Sequence, residues 1–234
     1  AMSDVESVRF SGMFGGYSDY STEEESDTEQ YMEVVMSDML RAQALAASQQ
    51  SMNINGWSGQ TNSRNMNFNF TEKMSARQQS ELEQFKSNYA QNQARYESVA
   101  QKTGIPPELI AAIHWRESSG NFGTYLHNGD PLGSPTVHVP AGKLFYDWES
   151  AAVDALNSHR GNSTLTADST DLDAMAEFAE RYNGLGYRNK GLPSPYVWAG
   201  TDKYTSGKYV ADGVFDPNYV DQQLGVMLMI KSIA

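Results

Sequence analysis

Apolar residues are spread unevenly along this 234-residue chain, and that unevenness restricts its fold more than any other feature. Residues 1–72 are rich in Ser, Asn, Gln, Gly and Met, with the acidic run Glu23-Glu24-Glu25-Ser26-Asp27 and a polar tract from Ser48 to Asn69. Such a composition buries little apolar surface and predicts a low-complexity, acidic region instead of a core. The core is expected from the remainder, where the composition turns globular after Thr103. One sizeable core with accessory segments is what this length and division predict.

One element stands out in the front region. From Asp27 to Ala47, Met32, Val35, Met36, Met39, Leu40 and Ala47 recur at steps of three and four, which predicts an amphipathic helix with a soft, methionine-lined face. That face can pack on the chain's own domain or dock on a protein partner. A lead-in helix is predicted next, over residues 73–102 with Thr71 as cap. Its single stripe of Leu82, Phe85, Tyr89, Tyr96 and Val99 is suited to packing on the following domain.

Residues 103–234 form the predicted globular domain. Gly104 ends the lead-in helix, Pro106-Pro107 opens another, and Leu109, Ile110 and Ile113 form its apolar face. Residues 121–146, with the alternation Thr136-Val137-His138-Val139-Pro140, read as a loop and short β-hairpin lobe. Helices are predicted at about 147–159, 171–183 and 217–233, the last with Asp216 as N-cap. The glycine-rich aromatic stretch from Gly184 to Phe215 is too long for an idle connection and reads as the wall of a groove.

Composition excludes several chemistries. With no Cys, the chain has no disulfide, thiolate metal site or cysteine nucleophile. The net charge is −12, with 11 acidic and 3 basic residues in 1–72 alone, and a phosphate-tracking groove needs the opposite balance, so nucleic acid is not an expected partner. The four His residues show no H-E-x-x-H spacing, and neither a metal nor a cofactor is expected. No stretch approaches the roughly 20 apolar residues of a spanning helix, so stable membrane insertion is not expected. The N-terminus lacks the pattern of a signal peptide, which predicts synthesis in the cytoplasm.

The residue that asks for an explanation is Glu117. It follows Ile113 by four and Ile110 by seven, so it continues the apolar stripe, and it stands at a helix C-terminus just before Gly120. Partial burial and the helix dipole would both raise its pKa, as a general acid near neutral pH requires. The same position also suits a solvated or salt-bridged helix end.

The surrounding residues favour the acid. Arg116-Glu117-Ser118-Ser119-Gly120-Asn121-Phe122, with a later helix ending Arg181-Tyr182-Asn183-Gly184, resembles the lytic transglycosylases of glycoside hydrolase family 23, relatives of goose-type lysozyme. The stretches at 126–132, 136–142, 180–188, 194–198 and 207–216 look like catalytic domains of endolysins of this type, especially those of giant phages. The resemblance covers roughly residues 100–234. The Gly-Leu-Met-Gln segment usual in the bacterial enzymes is replaced by the phage-type run from Asn128 to Pro140.

The resemblance implies a mainly α (α+β), lysozyme-like domain with a small β-hairpin lobe and a cleft between them. It implies cleavage of the β-1,4 bond between N-acetylmuramic acid and N-acetylglucosamine, with Glu117 as the catalytic residue beside Ser118, and with Tyr182 and Asn183 lining the cleft. Glu180 is implied as a second functional carboxylate, orienting Glu117 or raising its pKa by like charge. The partner is the peptidoglycan glycan strand, met at the bacterial cell wall after passage through a membrane lesion, a virion or a secretion machine.

Further candidates come from residue type and position. Asp130 could position water for a hydrolytic lysozyme, but Asn128-Gly129-Asp130-Pro131 is also a good turn sequence in which Asp caps amides. Tyr125, Tyr187, Tyr196, Trp198, Tyr204 and Tyr209 are predicted in loops, where their faces could stack on sugars, while His127 and Asn128 could touch substrate. Trp115 and Trp148 fall on helices and read as core. A noncatalytic glycan-binding component of a virion or secretion apparatus is the alternative of another class.

Overall fold

The computed structural model describes residues 68–69, 74–211 and 214–233. The expected helix at 27–47, and its docking role, lie outside the described residues. What is described is mainly helical with one two-stranded antiparallel hairpin, and no helix in it is long and apolar enough to cross a membrane.

The chain enters through α1 (Ala76–Thr103), the expected lead-in helix, which begins at Ser75 instead of Thr71. Ser75 and Gln78 form a capping box: Ser75 Oγ accepts the Gln78 amide at 3.1 Å, and Gln78 Oε1 accepts the Ser75 amide at 2.9 Å. Two orphan donors are thereby satisfied at once. Non-helical angles at Asn92 mark a kink, where its side-chain amide donates to the carbonyl of Asn88 at 2.9 Å. Beyond it, Gly104 in the left-handed region closes the helix, its amide donating to Ala100. Of the predicted stripe, Phe85, Tyr96 and Val99 are fully buried.

α2 (Pro107–Ser118) is the central element, packed on α1 and on the C-terminal α7 (Val226–Ile233). α3 (Trp148–Ser158), capped by Asp147, lies on α1, and α4 (Leu172–Asn183), capped by Asp171, meets α2 and α7. Two short helices follow, α5 (Gly186–Asn189) and α6 (Pro195–Trp198), and α6 bridges α4 and α7. Gly225 permits that approach: a Cβ there would meet the backbone of Ala199 at 2.5 Å and the carbonyl of Val197 at 2.8 Å. Trp115 and Trp148 belong to the resulting core, as expected.

Three expectations are corrected. The hairpin is not in 121–146 but later, formed by β1 (Lys208–Ala211) and β2 (Val214–Asp216), with Tyr209 opposite Phe215. Residues 121–146 make an irregular lobe with one isolated bridge, Thr124 to Pro131. Prolines 131, 135 and 140 remove ladder donors there, and the Tyr125 phenol does the joining instead: it donates to Ser134 at 2.6 Å and accepts the Phe145 amide at 2.9 Å. The last helix starts at Val226, because Asp216 ends β2 and caps a turn, accepting the Asn218 amide at 2.8 Å.

The third correction is the boundary placed at residue 72. Phe68 is buried, with its ring edge-on to Trp198 at 5.4 Å, its carbonyl bonded to Lys231, and Asn69 donating to Asp202 at 3.1 Å. The folded unit therefore includes residues that composition assigned to the polar region. One aromatic among asparagines is enough to fill a groove.

Candidate functional site

Helix α2 positions the central residue. Leu109, Ile110 and Ile113 are fully buried, and Glu117 extends their stripe at 1 % exposure, deeper than the partial burial expected. The helix stops at once: Ser119 takes the left-handed conformation at φ 54°, and its amide donates to Trp115 at 2.8 Å. Glu117 thus lies in a terminal turn whose dipole opposes negative charge.

Its neighbour is Tyr196 of α6, whose phenol donates to Glu117 Oε1 at 3.0 Å. Burial first, and the charge of Glu117 next, push the Tyr196 phenol well above its ordinary value. Tyr196 therefore stays a protonated donor through the neutral range. From the sequence Tyr196 is expected in a loop as a sugar platform; the fold makes it a buried partner of Glu117.

A group that sequence reasoning missed lies beside this pair. Arg116, 5 % exposed, has its Nη2 2.5 Å from Asp221 Oδ2, and Lys208 Nζ is 2.9 Å from Asp221 Oδ1. The guanidinium carbon of Arg116 is 5.3 Å from the centre of the Tyr196 ring. Burial would raise the pKa of Asp221, but the charges of Arg116 and Lys208 outweigh it and hold the carboxyl below its ordinary value. A signal existed: Arg116 is three residues past Ile113, on the buried side of α2. Its partner was not legible, because the expected helix at 217–233 takes in Asp221, whereas the helix begins only at Val226.

Helix α4 brings Glu180, Tyr182 and Asn183, all buried. The expectation that Glu180 and Tyr182 face different ways is met: the Tyr182 phenol donates to the carbonyl of Leu126, while Glu180 faces Arg188. Arg188 Nη2 is 2.9 Å from Glu180 Oε2, and the same guanidinium holds Glu177. The positive charge of Arg188 offsets the negative charge of Glu180.

The irregular lobe closes over the end of α2. Gly129 has φ +83°, and a Cβ there would come within 3.3 Å of the Glu117 carbonyl. The turn reading of Asp130 is what the fold realises: Oδ2 accepts the amides of Val137 at 2.9 Å and His138 at 3.0 Å, and Oδ1 meets His138 Nδ1 at 2.5 Å. Burial works to raise Asp130, but these bonds hold it below the usual carboxylate range. Both oxygens of Asp130 are engaged by groups of its own lobe. Asn128 braces the same turn, accepting the Asp130 amide at 3.0 Å and donating to His138 at 3.0 Å. His127 is fully buried with Nε2 2.7 Å from Asp154, and Ser118 Oγ reaches the Asn121 carbonyl at 3.4 Å.

The remaining aromatics depart from the expectation of exposed stacking faces. Tyr125, Tyr187, Trp198, Tyr204 and Tyr209 are all buried. Tyr209 packs edge-on to Tyr187 at 6.1 Å and to Phe215 at 5.3 Å. The open faces are elsewhere: Tyr146, 75 % exposed, and Val137, 72 % exposed, stand on the lobe. Among the described residues, no group of three His, Asp or Glu is placed to hold a metal ion.

His114, one turn before Glu117, ties α2 to α1. Its Nε2 lies 2.9 Å from the Asn121 carbonyl, which can only accept, so the proton is on Nε2. Nδ1 then accepts from the Tyr96 phenol at 2.8 Å, which itself accepts from Asn88 at 2.9 Å. Burial lowers the His114 pKa to about 4. The folded state thus resists a proton that the unfolded chain takes up near pH 6.5. Stability is undiminished above that pH and falls by about 3 kcal/mol as the pH drops towards 4. Urea unfolding at pH 7 and pH 4.5 should show most of this loss, and His114→Gln should flatten it.

No known family model, curated protein or solved structure matches this chain.

Proposed function

We propose that this chain is a peptidoglycan lytic transglycosylase, cleaving the β-1,4 bond between N-acetylmuramic acid and N-acetylglucosamine at the bacterial cell wall. The observation that carries the reading is Glu117: a carboxyl at 1 % exposure, in the last turn of an apolar helix, bonded to the phenol of Tyr196. A helix end of purely structural use would leave that carboxyl in water. The resemblance of the Arg116–Phe122 and Arg181–Gly184 motifs names the substrate class.

In this reading the Glu117 carboxyl protonates the glycosidic oxygen, which leaves as the N-acetylglucosamine 4-hydroxyl. The resulting carboxylate takes the proton of the muramic 6-hydroxyl as that oxygen attacks C1, closing a 1,6-anhydro ring. One group serves as acid and then as base, and no water is consumed. Tyr196 holds the carboxyl through both steps. Asp130 and Glu180, each engaged by its own partners, act on the frame of the site.

Fragments released from purified peptidoglycan should carry 1,6-anhydromuramic ends, lighter by one water than hydrated reducing ends. Mass spectrometry distinguishes them. Hydrated ends alone would replace this assignment with a hydrolytic lysozyme, and no fragments at all would leave a glycan-binding component.

A further inference from the structure

Asp221 is completely buried and shared by two cations, Arg116 at 2.5 Å and Lys208 at 2.9 Å. Its Oδ1 also accepts the Gln223 amide at 2.9 Å. Two positive charges on one carboxylate leave an excess of one, in a place where an uncompensated charge is costly. The Tyr196 ring lies against the Arg116 end of this cluster, and its phenol reaches Glu117.

Among the described residues, the other ionisable groups around α2 leave that excess in place. On α4 and α5, Glu177 and Glu180 face Arg181 and Arg188, two against two. On α1, Glu81 accepts from the Trp115 indole at 3.1 Å, and Tyr96 meets the neutral His114. In the lobe Asp130 holds His138, and on α7 Lys231 bonds the carbonyl of Phe68. The phenols of Tyr182 and Tyr187 lie near Tyr196 and Arg116 respectively.

We propose that Arg116, Asp221 and Lys208 are positioning residues for Glu117: they fix Tyr196 against its carboxyl and supply the positive charge that favours its ionised form, so setting the pH range in which it exchanges its proton. The inference rests on Glu117 being the acid. In the proposed reaction the carboxylate appears as C1 of the sugar becomes positive, and a preorganised donor and a fixed cation stabilise it without rearrangement. Lys208 is the accessible end, its side chain 12 % exposed. Burial lowers its pKa against the pull of Asp221.

The test reads Glu117 itself. In protein carrying 13C-labelled glutamate carboxyls, the Glu117 signal is identified by its loss in Glu117→Gln and followed against pH. In Lys208→Met, which leaves Arg116 and Asp221 one to one, Glu117 should titrate about half a pH unit or more above the parent. Lys208→Arg should restore it. Tyr196→Phe keeps the ring on Arg116 and loses the donor, and it should raise the titration as well. On purified peptidoglycan the high-pH limb of the rate profile should move with the NMR titration. Unchanged Glu117 titration in folded Lys208→Met or in Tyr196→Phe overturns the proposal. The predicted shift in a protein inactive on peptidoglycan upholds the electrostatic coupling and removes only the proposed function.

Discussion

Glu117→Gln should lower the rate of peptidoglycan degradation by about 10²–10⁴-fold, the usual contribution of a positioned acid–base group. Glutamine keeps the volume of the side chain in the buried stripe, and its carbonyl can still accept the Tyr196 phenol that now donates at 3.0 Å. The proton, both given and retrieved, is what is lost. The native fold should be retained, with the near-ultraviolet spectrum unchanged. A folded Glu117→Gln protein keeping more than a few per cent of the rate would sink the single-acid mechanism.

Asp221→Ala should have the largest effect on stability, a loss of about 3–5 kcal/mol, because removing one member of a buried ion cluster strands the others. Two cations depend on this carboxylate, and Arg116 is 5 % exposed with little access to water in compensation. The Gln223 amide would lose its acceptor as well. Equilibrium unfolding in urea measures the effect directly. A loss below about 1 kcal/mol would mean that water already reaches the cluster, and that it behaves like a surface pair.

How far the sequence could be read varied with the range of the interaction that decides each element. α1 to α4 were legible because their signals are local: a Ser, Asp or Pro at the start, a Gly or a left-handed residue at the end of α1, α2 and α4, and apolar steps of three and four between. The segment after Asp216 was misread for the complementary reason. Asp-Pro suits a helix start and a turn equally, and the choice fell to the turn, with Asp221 drawn into contact with Arg116, 105 residues away. The lobe at 121–146 shows alternation without a ladder, since its proline spacing removes donors and a single phenol from Tyr125 connects its arms.

By itself the sequence put Glu117 on the apolar face at the end of a helix, since residues at steps of four and seven share a face wherever that helix packs; whether that end is solvated or buried it left open. It also determined which side chains could carry acid–base chemistry in a chain without Cys. Only the tertiary structure decided what each carboxylate meets: a phenol for Glu117, a guanidinium for Glu180, amides and an imidazole for Asp130, and two cations for Asp221. Proton affinity depends on burial and on charges within a few ångströms, and those neighbours come from helices and loops far apart in the chain.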